Sequence, residues 1–492
     1  MDAYAVVIAG GGPTGMMLAA ELVLAGTDVV IVERRLTPEV DGSRAGGLHA
    51  RTLEVLDQRG VVDRFLAEGQ SVQTNGFAYI PLDISGFPSR HSHGLALWQN
   101  DIERIMAGWV DELGVRFRRG VEVVGAVPDD DGVDVELSDG SKLRSRYLIG
   151  CDGGRSRVRQ AAGIAFEGYD AATSYLIAQA HFEATPEVGV RREGGGIGPV
   201  DRVSGGNPYG IVLREERADH ADGPSLDDLR ALLVDKYRTD WGVHDPIWIS
   251  RFTDAARQAV SYRAGRMLVA GDAAHIHSPM GGLGLNTGVQ DAVNLGWKLA
   301  QVVAGTSPDS LLDTYHAERH PVGASVLRLA MAQSALVTPD DFHDQLRRTV
   351  AEMLSGTDAG TALAGTMSGL GIRYDLGDGH PLVGWRMADL DLRTADGDTR
   401  VFELLRPAQP LLINLDRAAT FDIGPWAGRV RQVDAETEHL ATWQLPVVGA
   451  VPAAPAVLLR PDGHVAWAGR LDELGLPAAL SRWFGSRRAR PV

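Results

Sequence analysis

Two stretches of this sequence carry residue types at spacings that could do chemistry. From Gly271 to Leu299 the chain reads GDAAHIHSPMGGLGLNTGVQDAVNLGWKL, an acid and a His-x-His pair followed by glycines and an amphipathic run. Asp272, His275 and His277 are the ligand types of a metal hydrolase. Read the other way, an acid, glycines and a helix start suit a ligand held by backbone N–H groups. The second stretch, Gly10-Gly11-Gly12-Pro13-Thr14-Gly15, supplies G-x-G-x-x-G directly after the apolar run YAVVIA. In that pattern Gly10 permits a tight turn, Gly12 lets the backbone approach a pyrophosphate, and Gly15 lets helix and strand pack closely. Glu33 ends the following run, DVVIVE, where a carboxylate accepts hydrogen bonds from ribose hydroxyls and repels a 2′-phosphate, so the site suits FAD or NAD.

The elements that position these residues follow from periodicity. YAVVIA reads as a strand buried on both faces, and Met17, Leu18 and Leu22 as one face of a helix closed by Gly26. Arg44 and Arg51 stand at the entrance of a further helix; their guanidinium forks suit a pyrophosphate, although arginines at a helix start are also ordinary surface residues. A helix is expected from about Asp101 to Gly114, then a β-meander punctuated by DDDG and SDG and ending in the buried strand RYLIG. At CDGGRSRVRQAAGI the strand ends in Asp152-Gly153 and a helix begins, with Arg155, Arg157 and Arg159 adding positive charge. Val289, Ala292, Val293, Gly296, Leu299, Ala300 and Val303 share one face of a helix that begins near Asn286 and stops at Gly305. Within residues 178–250, REGGGIGPV and VSGGNPYG carry glycines that suit turns, and Trp98, Tyr209, Trp248 and Phe252 are aromatics of core-packing or ligand-edge type. Past Gly379 come strands, a PDG turn between VLLR and HVAWAG, and a terminal helix.

Composition bounds the reading. At 492 residues, two or three domains are expected. A formal charge of −16 argues against nucleic acid, and SRRARPV is the only basic tail. There is no apolar run long enough for a transmembrane helix and no signal-peptide layout, so a cytoplasmic protein with no membrane partner is expected. Cys151 is the single cysteine, which excludes an internal disulfide, a CxxC pair and a thiolate cluster.

Gly10-x-Gly12-x-x-Gly15, Asp152-Gly153 and Gly271-Asp272 occur in this order, joined by SRAGGLHARTLEVLDQRG, LLDTYHAERHPV and VLLRPDGHVAWAG. Together they resemble the class A flavoprotein aromatic hydroxylases of the para-hydroxybenzoate hydroxylase type, in the branch of the aromatic-polyketide hydroxylases and rifampicin monooxygenases. The resemblance implies an α/β chain of three parts. These are a Rossmann-like FAD-binding domain with an inserted β-meander (1–75, 100–177 and 255–378), a β-sheet substrate domain (76–99 and 178–254) and a thioredoxin-like C-terminal domain (379–492). It implies FAD, with NADPH (or NADH) as a transient co-substrate, and O2 converted through a flavin C4a-hydroperoxide to hydroxylate a polycyclic aromatic small molecule. A monomer or homodimer is expected.

By the same resemblance Gly12, Thr14 and Gly15 hold the pyrophosphate, Glu33 the ribose with Arg34 beside it, and Arg44, Arg51 and Gln99 contact FAD. Val123 offers backbone to the adenine, Asp152 and Gly153 belong to a motif serving FAD and NADPH, and Asp272 binds the ribityl chain. Gly284, Leu285 and Asn286 form a backbone cradle for the pyrimidine edge of the flavin, while His275 and His277 organise their loop. No metal is implied, and no side chain stands out as a catalytic base; His93 and His244 are the histidines within expected reach of a phenol. Two departures are visible: Gly42 where the para-hydroxybenzoate type carries arginine, and Leu283 where many relatives carry glutamine. A Baeyer–Villiger or antibiotic-inactivating oxygenation on the same scaffold is the near alternative, and a flavin-binding protein without turnover the remote one.

Overall fold

The computed structural model describes residues 2–40, 42, 45–73, 76–191, 195–199, 207–215, 223–416, 419–439, 441–471 and 475–485. Its first strand, β1 (Asp2–Ala9), lies at the middle of the main sheet with Val6, Val7 and Ile8 fully buried. A helix, α1 (Pro13–Leu24), carries the chain to β2 (Val29–Glu33), which pairs parallel with β1 on one side. On the other side β1 pairs parallel with Lys142–Gly150, so the strand order reverses at β1 and opens a crevice at the carboxyl ends of these strands. Beyond β2 the sheet gains Arg116–Arg119, also parallel.

Lys142–Gly150 serves two partners along one edge. Its first half, Lys142–Ser145, pairs antiparallel with Val133–Leu137, which pairs in turn with Val123–Pro128, the expected meander. Its second half, Leu148–Gly150, pairs parallel with Met267–Val269 and so returns the chain to the main sheet. The long helix Leu283–Val303 crosses α1 closely: a Cβ at Gly296 would lie 2.4 Å from the Cβ of Glu21. It starts earlier than its periodicity suggests, at Leu283. Among the described residues no helix is long and apolar enough to cross a membrane.

A second, antiparallel sheet runs in the order Gly189–Arg191, Gly195–Pro199, Tyr209–Glu215, Ser174–Phe182, Val243–Thr253. Leu176, Ala178, Ala180 and Phe182 point into an apolar cluster with Leu229, Leu233 and Tyr237 of the helix Leu226–Tyr237. The alternate residues, among them Tyr175 and Gln179, therefore line the opposite face. Residues 76–99 add no strand to this sheet. Gly94–Ala96 pairs with Gln70–Val72, and Phe77, Ile80, Leu82 and Ile84 pack with Leu283, Val326 and Met367.

The C-terminal sheet is mixed: Leu411–Asn414 pairs parallel with Arg431–Glu436 and antiparallel with Ala456–Leu459. It is not a separate body. Leu412, Trp426, Leu458, Trp483 and Phe484 share one apolar cluster with Val6, Leu18, Val293 and Trp297 of the nucleotide half. The tip Pro461-Asp462-Gly463 is buried in the seam, where the Arg460 guanidinium grips Glu318 at 2.8 and 2.7 Å. Arg59 binds Glu21 and donates to the Pro461 carbonyl at 2.8 Å, while Arg400 pairs with Asp57 at 2.6 Å.

Candidate functional site

The loop between β1 and α1 is shaped by its neighbours. Gly10 has φ +101°, and a Cβ there would lie 2.3 Å from the Cys151 carbonyl oxygen, at the end of the adjoining strand. At Gly15 a Cβ would lie 2.0 Å from the Gly10 carbonyl oxygen, which is the helix–strand approach the motif requires. Gly12 is different: nothing lies within 4 Å of its added Cβ. It is the N-cap of α1, no side chain caps it, and Pro13 follows, so the first-turn N–H groups of α1 face open space. Thr14 sits against Gly271 and Gly288, whose added Cβ atoms would come within 2.7 and 2.3 Å of its Oγ1.

Glu33 is held in one orientation. Its Oε2 accepts the Gly11 N–H at 2.6 Å, and its Oε1 accepts the Arg35 backbone N–H at 2.9 Å and Nε at 3.1 Å. Burial alone would raise its pKa, but the N–H groups of Arg35 and Gly11 and the Arg35 charge hold it below the ordinary carboxylate range. Arg35, not Arg34, makes this clamp; Arg34 is exposed. From Arg35 the contacts continue to Glu103 at 2.9 Å, from Glu103 to Gln99 at 2.8 Å, and from Gln99 to the Ala45 backbone. Gln99 thus positions the loop that precedes His49. Val123 lies at a β-bulge, where the register with Leu137 shifts before Gly125 and the ladder is locally interrupted.

At the end of Lys142–Gly150, Asp152 Oδ2 accepts the Arg157 N–H at 2.7 Å and the Val158 N–H at 3.3 Å, fastening the Asp152-Gly153 turn to the helix Arg157–Ala161. Burial raises the Asp152 pKa against the effect of these hydrogen bonds. Gly153 has φ +81° and open space around it. Arg159 is a tie rather than a ligand: it donates to the Ala273 and Gly154 carbonyls, each at 3.0 Å, and joins the two acidic turns.

Asp272 is exposed, and among the described residues no hydrogen bond holds its carboxylate. Its Oδ1 and the His277 Nε2 lie 3.9 and 3.8 Å from where a Cβ of Gly284 would stand, so acid, imidazole and helix start converge. Gly282, the N-cap of the long helix, lends no side chain, which leaves its first-turn N–H groups uncapped at Leu283, Gly284 and Leu285. Asn286 has a second role: its Oδ1 accepts the His49 N–H at 2.8 Å, and its Nδ2 donates to the Gly282 and Gly47 carbonyls at 2.8 and 3.3 Å. Leu283 turns away from the crevice into the cluster around Phe77 and Met367.

The two histidines part company. His275 is buried on Asp291, with Nε2 2.8 Å from Oδ2, and Asp291 in turn holds Arg319 at 2.7 Å. It is thereby taken from any ligand set with Asp272. Among the described residues no three His, Cys, Asp or Glu groups are placed to hold a metal ion. His277 receives no such anchor: its Nδ1 donates to the Ser278 carbonyl at 2.6 Å, and its buried Nε2 has no partner. Burial, ahead of every other cause, holds it below the ordinary histidine value and so neutral. Arg35 is a site residue that motif spacing did not single out, because it belongs to no glycine signature.

Arg51 does not open onto the crevice. Its guanidinium is buried on Glu54 at 3.0 Å and on the Asp462 carbonyl at 2.8 Å, in the C-terminal seam. Arg44 lies outside the described residues. His93 sits beside His91 with its rings 6.1 Å apart, and His91 binds Asp57, again in that seam. His244 is on the rim with Asp245, while Tyr209 packs edge-on to Phe182 in the core of the second sheet. Of these aromatics Trp248 and Trp98 reach the nucleotide half, Trp248 lying against Gly42 and Trp98 against Gly46.

These donors fit a dinucleotide. Two uncapped helix N-termini, of α1 and the long helix, bracket one crevice with Glu33 at one end and Asp272 at the other. Residues 3–330 match the FAD binding domain family, and residues 380–487 match the aromatic-ring hydroxylase C-terminal family. A rifampicin monooxygenase of Streptomyces venezuelae is 42% identical over 99% of this chain and 100% of its own length. The structure of an anhydrotetracycline hydroxylase from Streptomyces rimosus superposes with TM-score 0.89 at 39% identity, covering 99% of this chain and 100% of that one. A dialkyldecalin synthase of Streptomyces rugosporus is 37% identical over 98% of both chains.

Proposed function

This chain belongs to the FAD-dependent aromatic-ring hydroxylases, and from that premise we propose that it is a monooxygenase hydroxylating a polycyclic aromatic molecule of the polyketide type, with NADPH and O2 as co-substrates. The observation that carries the reading is the crevice itself, with donors at both helix starts and an acid at either end. When bound, FAD supplies the activation of O2 and the delivery of one oxygen atom.

Everything else falls to the chain. The first-turn N–H groups of α1 behind Gly12 hold the pyrophosphate, with Thr14 and Gly15 fixing the loop and Arg44 adding charge. Glu33, immobilised by Gly11 and Arg35, receives the ribose hydroxyls, and the bulged backbone at Val123 meets the adenine. Asp272 takes a hydroxyl of the ribityl chain. The N–H groups of Gly284 and Leu285, with Asn286 bracing them, favour negative charge at the pyrimidine edge. Asp152 and Gly153 border the path of the cofactors. The exposed face of the second sheet orients the aromatic substrate and excludes water. The C-terminal unit, without a cysteine, supports the long helix rather than taking part in redox chemistry. We divide the chain into nucleotide, sheet and thioredoxin-like C-terminal parts accordingly.

The test is NADPH consumption by the FAD-loaded protein with anthraquinone, angucyclinone, tetracycline and ansamycin compounds, with product masses measured. Substrate-stimulated consumption and a product heavier by one oxygen as a phenol are expected. An inserted ester oxygen would assign the Baeyer–Villiger alternative. FAD binding without NADPH consumption, together with a product of unchanged mass, would place the chain with synthases instead and overturn the proposal.

A further inference from the structure

On the sheet face that looks toward the crevice, Tyr175 and Phe252 are cross-strand partners and stack at 4.9 Å with an interplanar angle of 9°. Further along the same pair of strands, Gln179 stands opposite Trp248. The Trp248 ring leaves the sheet and covers the backbone of Gly42: an added Cβ there would lie 2.3 Å from Cδ2 and 2.5 Å from Cγ. Gly42 also has φ +90°, so two independent constraints exclude a side chain. The space that an arginine would claim is filled by an indole arriving from the other sheet.

The indole N–H is the unusual part. Trp426 and Trp443 each donate to a backbone carbonyl at 2.9 Å, as buried indoles ordinarily do. Trp248 Nε1 is buried and has no acceptor among the described residues. A buried donor without a partner destabilises the fold, so its retention on a ligand-facing surface calls for an acceptor that arrives with the ligand. The ring cannot swing toward the sheet core, because its own strand neighbours alternate and Gly42 seats it from below.

We propose that the Trp248 N–H donates to an oxygen acceptor of the bound aromatic substrate, of quinone-carbonyl or phenolate type, and that Gly42 seats the indole for this purpose. The proposal rests on the reading of the crevice as an aromatic hydroxylase site. Trp248 is then a positioning residue that selects oxygenated rings over hydrocarbon rings of the same shape.

The experiment titrates FAD-loaded protein with 1,8-dihydroxyanthraquinone and, separately, anthracene, reading binding from the perturbed flavin absorbance. The unaltered protein is expected to prefer the anthraquinone. W248F, which keeps a ring over Gly42 and removes the N–H, is expected to bind it about tenfold more weakly, the loss of one neutral hydrogen bond. Its affinity for anthracene and for FAD should be unchanged. W248H restores a ring N–H and should recover part of the loss. If W248F loses FAD, the preference of the unaltered protein and the W248H titration decide. Equal loss for both ligands, no preference in the unaltered protein, or an effect on FAD alone overturns the inference. Failure of the unaltered protein to bind either ring removes the aromatic-hydroxylase premise as well.

Discussion

Gly12 and Gly15 stand in one loop, yet the same substitution should act oppositely at the two. At Gly15 a methyl group meets the Gly10 carbonyl oxygen at 2.0 Å, so G15A is expected to destabilise the FAD-free protein by about 1–3 kcal/mol, seen as a lower melting temperature. At Gly12 the methyl enters open space, so G12A should leave that melting temperature unchanged. It occupies the place proposed for the pyrophosphate, and FAD affinity measured by fluorescence titration should fall at least about tenfold. Equal melting temperatures for the two variants would refute this division of roles. The close approaches at Gly10 and Gly15 and the strand end at Glu33 were legible because backbone geometry alone dictates them. Arg35 was not: which of two adjacent arginines folds back onto Glu33 depends on how the chain leaves the strand. Arg51 misled for a related reason, since its partner, the Asp462 carbonyl, is remote in sequence and charge type alone suggests a phosphate.

Asn286 links two elements, the start of the long helix and the loop at Gly47–His49, through three hydrogen bonds. N286A takes the acceptor from the His49 N–H and removes the two bonds to the Gly282 and Gly47 carbonyls, and should cost about 1–3 kcal/mol in urea unfolding of the FAD-free protein. An undisturbed midpoint would show that the two elements hold together without it. The helix itself was legible from its apolar face, and its start was displaced only by the short turn at Met280–Gly282. The PDG turn was legible as a hairpin. Its burial was not, because proline, aspartate and glycine carry the same signal whether a tip meets water or, as here, the Trp297 and Arg460 side chains.

For the whole molecule, that seam predicts acid lability. His464 is buried among Asp462, Arg51 and Arg460, and donates from Nδ1 to the Gly384 carbonyl at 3.0 Å. Burial, ahead of the neighbouring charges, holds its pKa down to about 3. Between its unfolded value of about 6.5 and that folded value, the unfolded chain binds the extra proton. The neutral form's stability contribution is therefore complete above about pH 6.5 and shrinks on acidification, by up to about 1.4 kcal/mol per pH unit. Urea midpoints should decline from pH 6.5 to 4.5, and H464N should flatten that decline; an unaltered slope would assign it elsewhere. His49, held to about 4 by burial beside the start of the long helix, adds in the same direction. The shared core has a consequence in time as well as in space. During synthesis Trp297 and Glu318 leave the ribosome well before Arg460, so the face of the long helix around Trp297 waits uncovered. A chain stopped at residue 379 should accumulate as insoluble protein, and folding of the nucleotide half should lag until the closing hairpin has been translated.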